Sequence, residues 1–123
     1  MGLPKPLTID QINYVHEWYE YDPTSPSGLR WKKGRGKRIQ TGQQAGYLAH
    51  DDYWMVDVGG RRTQAARAVW LLFGGILPPP HLTIDHINRQ RMDNRIENLR
   101  VATRRQQNLN RGGTRSYTLS RYR

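Results

Sequence analysis

The chain has no cysteine, which excludes both a disulfide framework and a thiolate-ligated zinc site. It also has no long hydrophobic run. The longest, Ala68-Val69-Trp70-Leu71-Leu72-Phe73, falls far short of the roughly 20 residues needed to span a bilayer. No basic-then-apolar leader opens the chain, so the expectation is a soluble, intracellular protein without a membrane partner. Phenylalanine occurs once, leaving four Trp and seven Tyr as the large aromatics available to a core. With 36% apolar residues and a mean hydropathy of −0.88, that core is modest. A chain of 123 residues fits one compact domain or two very small modules.

Acid is the other scarcity, and it is unevenly placed. Residues 1–60 carry seven Lys/Arg against seven Asp/Glu, whereas residues 61–123 carry thirteen basic residues against three acids. The second half therefore holds the whole net charge of +10, and every one of its basic residues is arginine. The planar guanidinium suits two-pronged phosphate binding better than a lysine ammonium does. A second cluster, Arg30, Lys32, Lys33, Arg35, Lys37 and Arg38, contains no acid. A single charge run is usually a solvated face. A pI of about 10.5 with an arginine-only excess favours a nucleic-acid partner instead, and no basic amphipathic helix argues for an anionic membrane.

Periodicity and turn residues predict an α+β chain. Leu7 to Tyr21 reads as a helix, opened by a capping-box pair, Thr8 and Gln11, with Ile9, Ile12, Val15, Trp18 and Tyr19 approximating one apolar stripe. Leu29 and Trp31 alternate with charge, as on a half-buried strand. The stretch 34–44 is a Gly/Lys/Arg loop. Residues 45–50 and 53–58 form a strand pair turned at Asp51-Asp52, and Gly59-Gly60 is a tight hairpin turn. Thr63 is expected to cap a helix from about Ala65 to Phe73, stopped by Gly74-Gly75. Pro78-Pro79-Pro80 is a stiff linker, giving a boundary between an N-terminal region 1–77, a linker 78–81, a module 82–113 and a basic tail 114–123. Within the module, Leu82-Thr83-Ile84 is a strand ending at Asp85-His86, residues 88–98 are a polar loop, and residues 100–102 are a return strand. Thr103 caps a last helix from about Arg104 to Asn110. Trp31, Trp54 and Trp70 read as core, and His16, His50 and His81 as structural.

The chemistry concentrates in Ile84-Asp85-His86-Ile87-Asn88 and Asp93-Asn94-Arg95-Ile96-Glu97-Asn98-Leu99-Arg100. A carboxylate next to an imidazole is what phosphodiester hydrolysis needs, one group to hold a divalent metal and one to activate water. These residues, with Arg91 and Ala102-Thr103, make residues 82–111 resemble the HNH endonucleases, specifically the phage and intron-encoded homing type. Tyr21-Asp22-Pro23, Gly28-Leu29-Arg30-Trp31-Lys32 and Ala66-Arg67-Ala68-Val69-Trp70 extend the resemblance more loosely upstream.

The resemblance implies a strand–loop–strand–helix (ββα-metal) nuclease module. His86 would be the general base, Asp85 a metal ligand, and Asn98 the central asparagine that ties the loop and helps hold His86. The metal would be a single hard divalent ion, Mg²⁺ or alternatively Mn²⁺. The family's helix ligand falls on Gln107, with Asn108 beside it. Neighbours on a helix are turned by roughly 100°, so one of the two ligates, and the shorter amide of Asn108 is the preferred choice. Duplex DNA would be the substrate of a monomeric, phage-encoded enzyme in a bacterial cytoplasm. Its contacts would come from the Arg30–Arg38 cluster, Arg61, Arg62, Arg67, Arg91, Arg95, Arg100, Arg104 and Arg105. Arg95 and Arg100 could equally pair with Asp93 or Glu97. The alternative is a DNA-binding protein that kept the fold without turnover.

Overall fold

The structure, a computed structural model, describes residues 5–79, 82–103, 105 and 106. They form a mixed α+β fold in the order α1 (Ile9–Trp18), β1 (Tyr19–Tyr21), β2 (Leu29–Trp31), β3 (Tyr47–Leu48), β4 (Trp54–Asp57), β5 (Arg62–Gln64), α2 (Ala65–Leu72), β6 (Leu82–His86) and β7 (Leu99–Thr103). All strand pairings are antiparallel: β1 with β2, β3 with β4 and β5, and β6 with β7. Among the described residues no helix is long and apolar enough to cross a membrane.

The capping box forms as the sequence requires. Thr8 Oγ1 accepts from the Gln11 N–H at 3.2 Å, and Gln11 Oε1 accepts from the Thr8 N–H at 2.9 Å. The helix stops at Trp18 rather than reaching Tyr21. Tyr19 turns extended, pairs with Trp31 and stacks on its ring at 4.8 Å, while its hydroxyl donates to the Asp57 carbonyl at 2.6 Å. Ladder bonds and aromatic burial outweigh the small propensity gain of one more helical turn.

The β1–β2 connection bears directly on the site. Gly28 has φ +85°, and a Cβ built there would lie 3.1 Å from Val69 Cγ2 and 3.2 Å from Asn94 Cβ. Glycine thus serves twice, for the left-handed backbone and for the close approach of Asn94. Beyond the 34–44 loop, the pair predicted over 45–50 and 53–58 shortens to β3 and β4, with Asp52 at φ 67° in the turn. Gly59 and Gly60, at φ 78° and 93°, close β4 onto β5.

Thr63 is not a helix cap. It lies in β5 opposite Val56 with its side chain buried, and Gln64 stands at the N-cap of α2 without a side-chain bond. Pairing with β4 holds the chain extended to that point, so the helix starts one residue beyond a threonine's capping reach. α2 then buries Ala65, Ala66, Ala68, Val69 and Leu71. Its Val69 belongs to one cluster with Val15, Tyr19, Leu29, Val56 and Val58, and the same cluster includes Ile84 and Leu99 of the β6–β7 hairpin. Burying a side chain such as Leu29 contributes about 1.5–3 kcal/mol. Trp31, Trp54 and Trp70 pack against this cluster, as their positions on the apolar stripes predict.

Past β7, Thr103 and Gln106 exchange a second capping box, at 2.8 and 3.1 Å, and residues 105 and 106 are helical. Arg104, Gln107, Asn108, His81 and the tail 114–123 lie outside the described residues.

Candidate active site

β6 pairs with β7 in the register Asp85↔Arg100 and His86↔Leu99. Consecutive strand residues point to opposite faces, so the carboxylate and the imidazole meet different neighbours. Asp85 Oδ2 accepts from Arg100 Nη2 at 3.0 Å and Nε at 3.3 Å. The two side chains are only 6% and 21% exposed. The pair is desolvated and two-pronged, with both guanidinium contacts on one carboxylate oxygen.

On the other face, His86 Nε2 lies 2.8 Å from Asn94 Oδ1, and Asn94 Nδ2 donates to the Ser27 carbonyl at 3.0 Å. A carbonyl can only accept, so Ser27 fixes which end of the amide faces the imidazole. Asn94 Oδ1 must in turn receive a proton, which places the hydrogen of the neutral ring on Nε2 and the lone pair on Nδ1. Burial pushes the His86 pKa below its ordinary value, partly offset by the Asn94 bond and by Asp85 and Asp93. The neutral ring is the form a general base requires. Tyr53 lies beside it with ring centroids 6.1 Å apart, and Arg91 caps Tyr53 at 5.1 Å while donating to the Asp51 carbonyl.

The loop between the strands is braced from within. Asn98 Oδ1 accepts from the Asn88 N–H at 3.0 Å, and its Nδ2 donates to the Asp93 carbonyl at 2.9 Å. Asn88 Nδ2 donates to Asp93 Oδ2 at 2.9 Å, and the Arg95 guanidinium grips the same carboxylate at 2.7 and 2.8 Å. Asn98 therefore ties the loop, but the amide that touches His86 is Asn94. Asn98 precedes β7 and spends both ends of its side chain on the loop backbone, whereas Asn94 is placed between His86 and Ser27.

Hydrogen bonds, first from the Arg95 side chain and then from its backbone and Asn88, hold Asp93 down to about 2. A carboxylate depressed in the folded state adds stability above its unfolded pKa of about 4 and loses it as pH falls toward 2. Asp22, held to about 2 by Thr24 and then Arg30, titrates in the same window. Urea denaturation at pH 6 and pH 2.5 should accordingly show a smaller acid loss for Asp93→Asn than for the parent. An equal loss would remove Asp93 from the account.

The remaining basic residues divide by their contacts. Arg30 pairs with Asp22 at 2.7 Å, Lys33 pairs with Glu17 at 3.0 Å, and Lys32 Nζ donates to the His16 carbonyl. Arg35 lies over Trp18 and Tyr14 and bonds the Tyr14 hydroxyl, and the exposed Lys37 and Arg38 occupy the turn closed by the Arg35↔Ile39 bridge. Arg61 ties down the carbonyls of Lys5 and Pro6, a structural post. Arg62 donates to the Tyr47 hydroxyl at 2.9 Å, on a groove also lined by His50, Asp51 and Met55. Arg67 is half-buried, and Arg105 is exposed. Ser27, Asn94 and Tyr53 are the site residues that sequence reasoning missed.

Asp85 is a hard oxygen donor in a setting already arranged for a cation. Such a donor suits a divalent ion that keeps several of its waters. Among the described residues no group of three His, Asp or Glu forms a complete cage.

Comparison with known proteins gives one family. Residues 64–109 match the family model for HNH endonuclease. HNH endonucleases bind DNA and generally use a divalent metal. No curated protein and no solved structure matches the chain.

Proposed function

From residues 64–109, which match the HNH endonuclease family, we propose that the chain is a metal-dependent DNA endonuclease with His86 as general base. The observation that carries this reading is the Ser27–Asn94–His86 chain of hydrogen bonds, which fixes a buried, neutral imidazole one residue from a buried carboxylate.

His86 Nδ1 takes the proton of a water whose oxygen attacks phosphorus. The bond from phosphorus to the 3′ oxygen breaks, leaving a 5′ phosphate and a 3′ oxygen that takes up a proton from solvent. Asp85 and the amide of Asn108, with Gln107 as the rival, would hold Mg²⁺ or Mn²⁺. When bound, the ion supplies positive charge to the scissile phosphate and the departing oxygen. Asn98 keeps the loop in the shape that presents His86. Arg91, which lies over Tyr53 beside the imidazole, would bind a phosphate flanking the cut.

The net charge of +10 draws the duplex in, and Lys37, Arg38, Arg62 and Arg105 supply exposed cations for backbone contacts. A monomer with one such site cuts one strand per encounter. The homing type of HNH enzyme, phage-encoded and acting in a bacterial cytoplasm, is the closest functional description.

Incubation of supercoiled plasmid with the protein tests this. Open-circular product is expected with Mg²⁺ or Mn²⁺ and none with a chelator. Duplex binding without any cutting under either metal would overturn the enzyme reading and leave a DNA-binding protein on the same fold.

A further inference from the structure

The Asp85–Arg100 pair is more than a brace. Arg100 occupies the register position opposite Asp85, delivers two N–H groups to Oδ2, and is the partly exposed member of the pair. We propose that Arg100 is an exchange cation. It neutralises Asp85 until a divalent ion takes the carboxylate, and then turns to a DNA phosphate, so that metal and DNA binding reinforce each other. This rests on the reading of Asp85 as a metal ligand.

The reasoning is electrostatic. A buried carboxylate stripped of its partner is costly, so the metal-free fold needs a cation at this position. A dication on the same carboxylate repels the guanidinium, so the two compete for it. A displaced guanidinium needs a new anion, and its planar fork matches phosphate as well as it matches carboxylate. Arg100 lies opposite Asp85 and on the same face of the hairpin, so a phosphate drawn to a dication on that carboxylate is the nearest such anion. A cation shared in this way between two anions couples their ligands, and by linkage each ligand tightens the other by the same factor.

Two measurements test it. Without DNA, Arg100→Gln should bind Mn²⁺ at least about fivefold more tightly than the parent, because the competitor is gone. In a His86→Ala background, which prevents turnover, Mn²⁺ should tighten duplex binding by at least about fivefold when Arg100 is present and by much less in Arg100→Gln. If Arg100→Gln does not fold, Arg100→Lys decides the matter. It keeps the charge but loses the two-pronged contact, so its Mn²⁺ affinity should still exceed the parent's. Mn²⁺ affinity equal to or below the parent's in the variant that folds overturns the exchange, as does coupling to DNA that survives the substitution.

Asp85→Asn separates the two levels. Unchanged Mn²⁺ binding in that variant would overturn Asp85 as a ligand and the exchange with it. Lost binding in Asp85→Asn with no gain in Arg100→Gln would overturn the exchange alone.

Discussion

His86→Ala should lower metal-dependent cutting of duplex DNA by at least about a hundredfold while leaving affinity for the duplex within about twofold of the parent. On the proposed reading the imidazole takes the proton from water at this strand end, and an alanine cannot substitute for it. The side chain is buried and faces Asn94 rather than solvent, so it contributes little to the surface that meets DNA. Single-turnover cleavage with saturating enzyme gives the rate, and a binding isotherm in chelator gives the affinity. A variant that still cuts at more than about a tenth of the parental rate would remove His86 from the role of base.

Asn94→Ala has the second largest expected effect, because one side chain serves two partners. Asn94 is only 3% exposed, bridging His86 and the Ser27 carbonyl. Truncation leaves a buried N–H and a buried carbonyl without their bonds, which together cost about 2–4 kcal/mol of stability. It also lets the imidazole rotate. A base displaced by about an ångström loses much of its rate, so the chemical step should fall roughly 10–100-fold with little change in duplex affinity. Urea denaturation measures the first effect and single-turnover cleavage the second. A destabilised variant that still cuts at the parental rate would make Asn94 a structural residue only.

The sequence carried the local parts of this molecule well. The Thr8–Gln11 capping box, the glycine hairpin, the helix from Ala65 and the strand running into Asp85-His86 each depend on residues within a few positions of one another. Where local preference met distant pairing, it lost. Tyr19 to Tyr21 have acceptable helix propensity, yet Trp31 recruits them into a ladder, and Thr63 is drawn into β5 by Val56. The site divides in the same way. Asp85 and His86 are legible because adjacency and spacing carry them. Asn94 sits in a run of Asp, Asn and Arg where nothing local marks the one side chain that goes inside, and its anchor, Ser27, is 67 residues upstream. The Asp85–Arg100 pair is likewise a product of strand register, which spacing alone does not fix.

The glycine at position 28 has a consequence for engineering. By letting Asn94 pack against the β1–β2 turn, it joins the setting of the His86 imidazole to a turn far upstream in the chain. Residues 82–113 transplanted onto another DNA-binding scaffold would take the acid and the imidazole but leave behind the carbonyl that sets the tautomer. The smallest cassette that can be moved intact therefore begins before Ser27, and a recombination breakpoint at the proline run would separate the Asp85-His86 pair from the contact that aligns it.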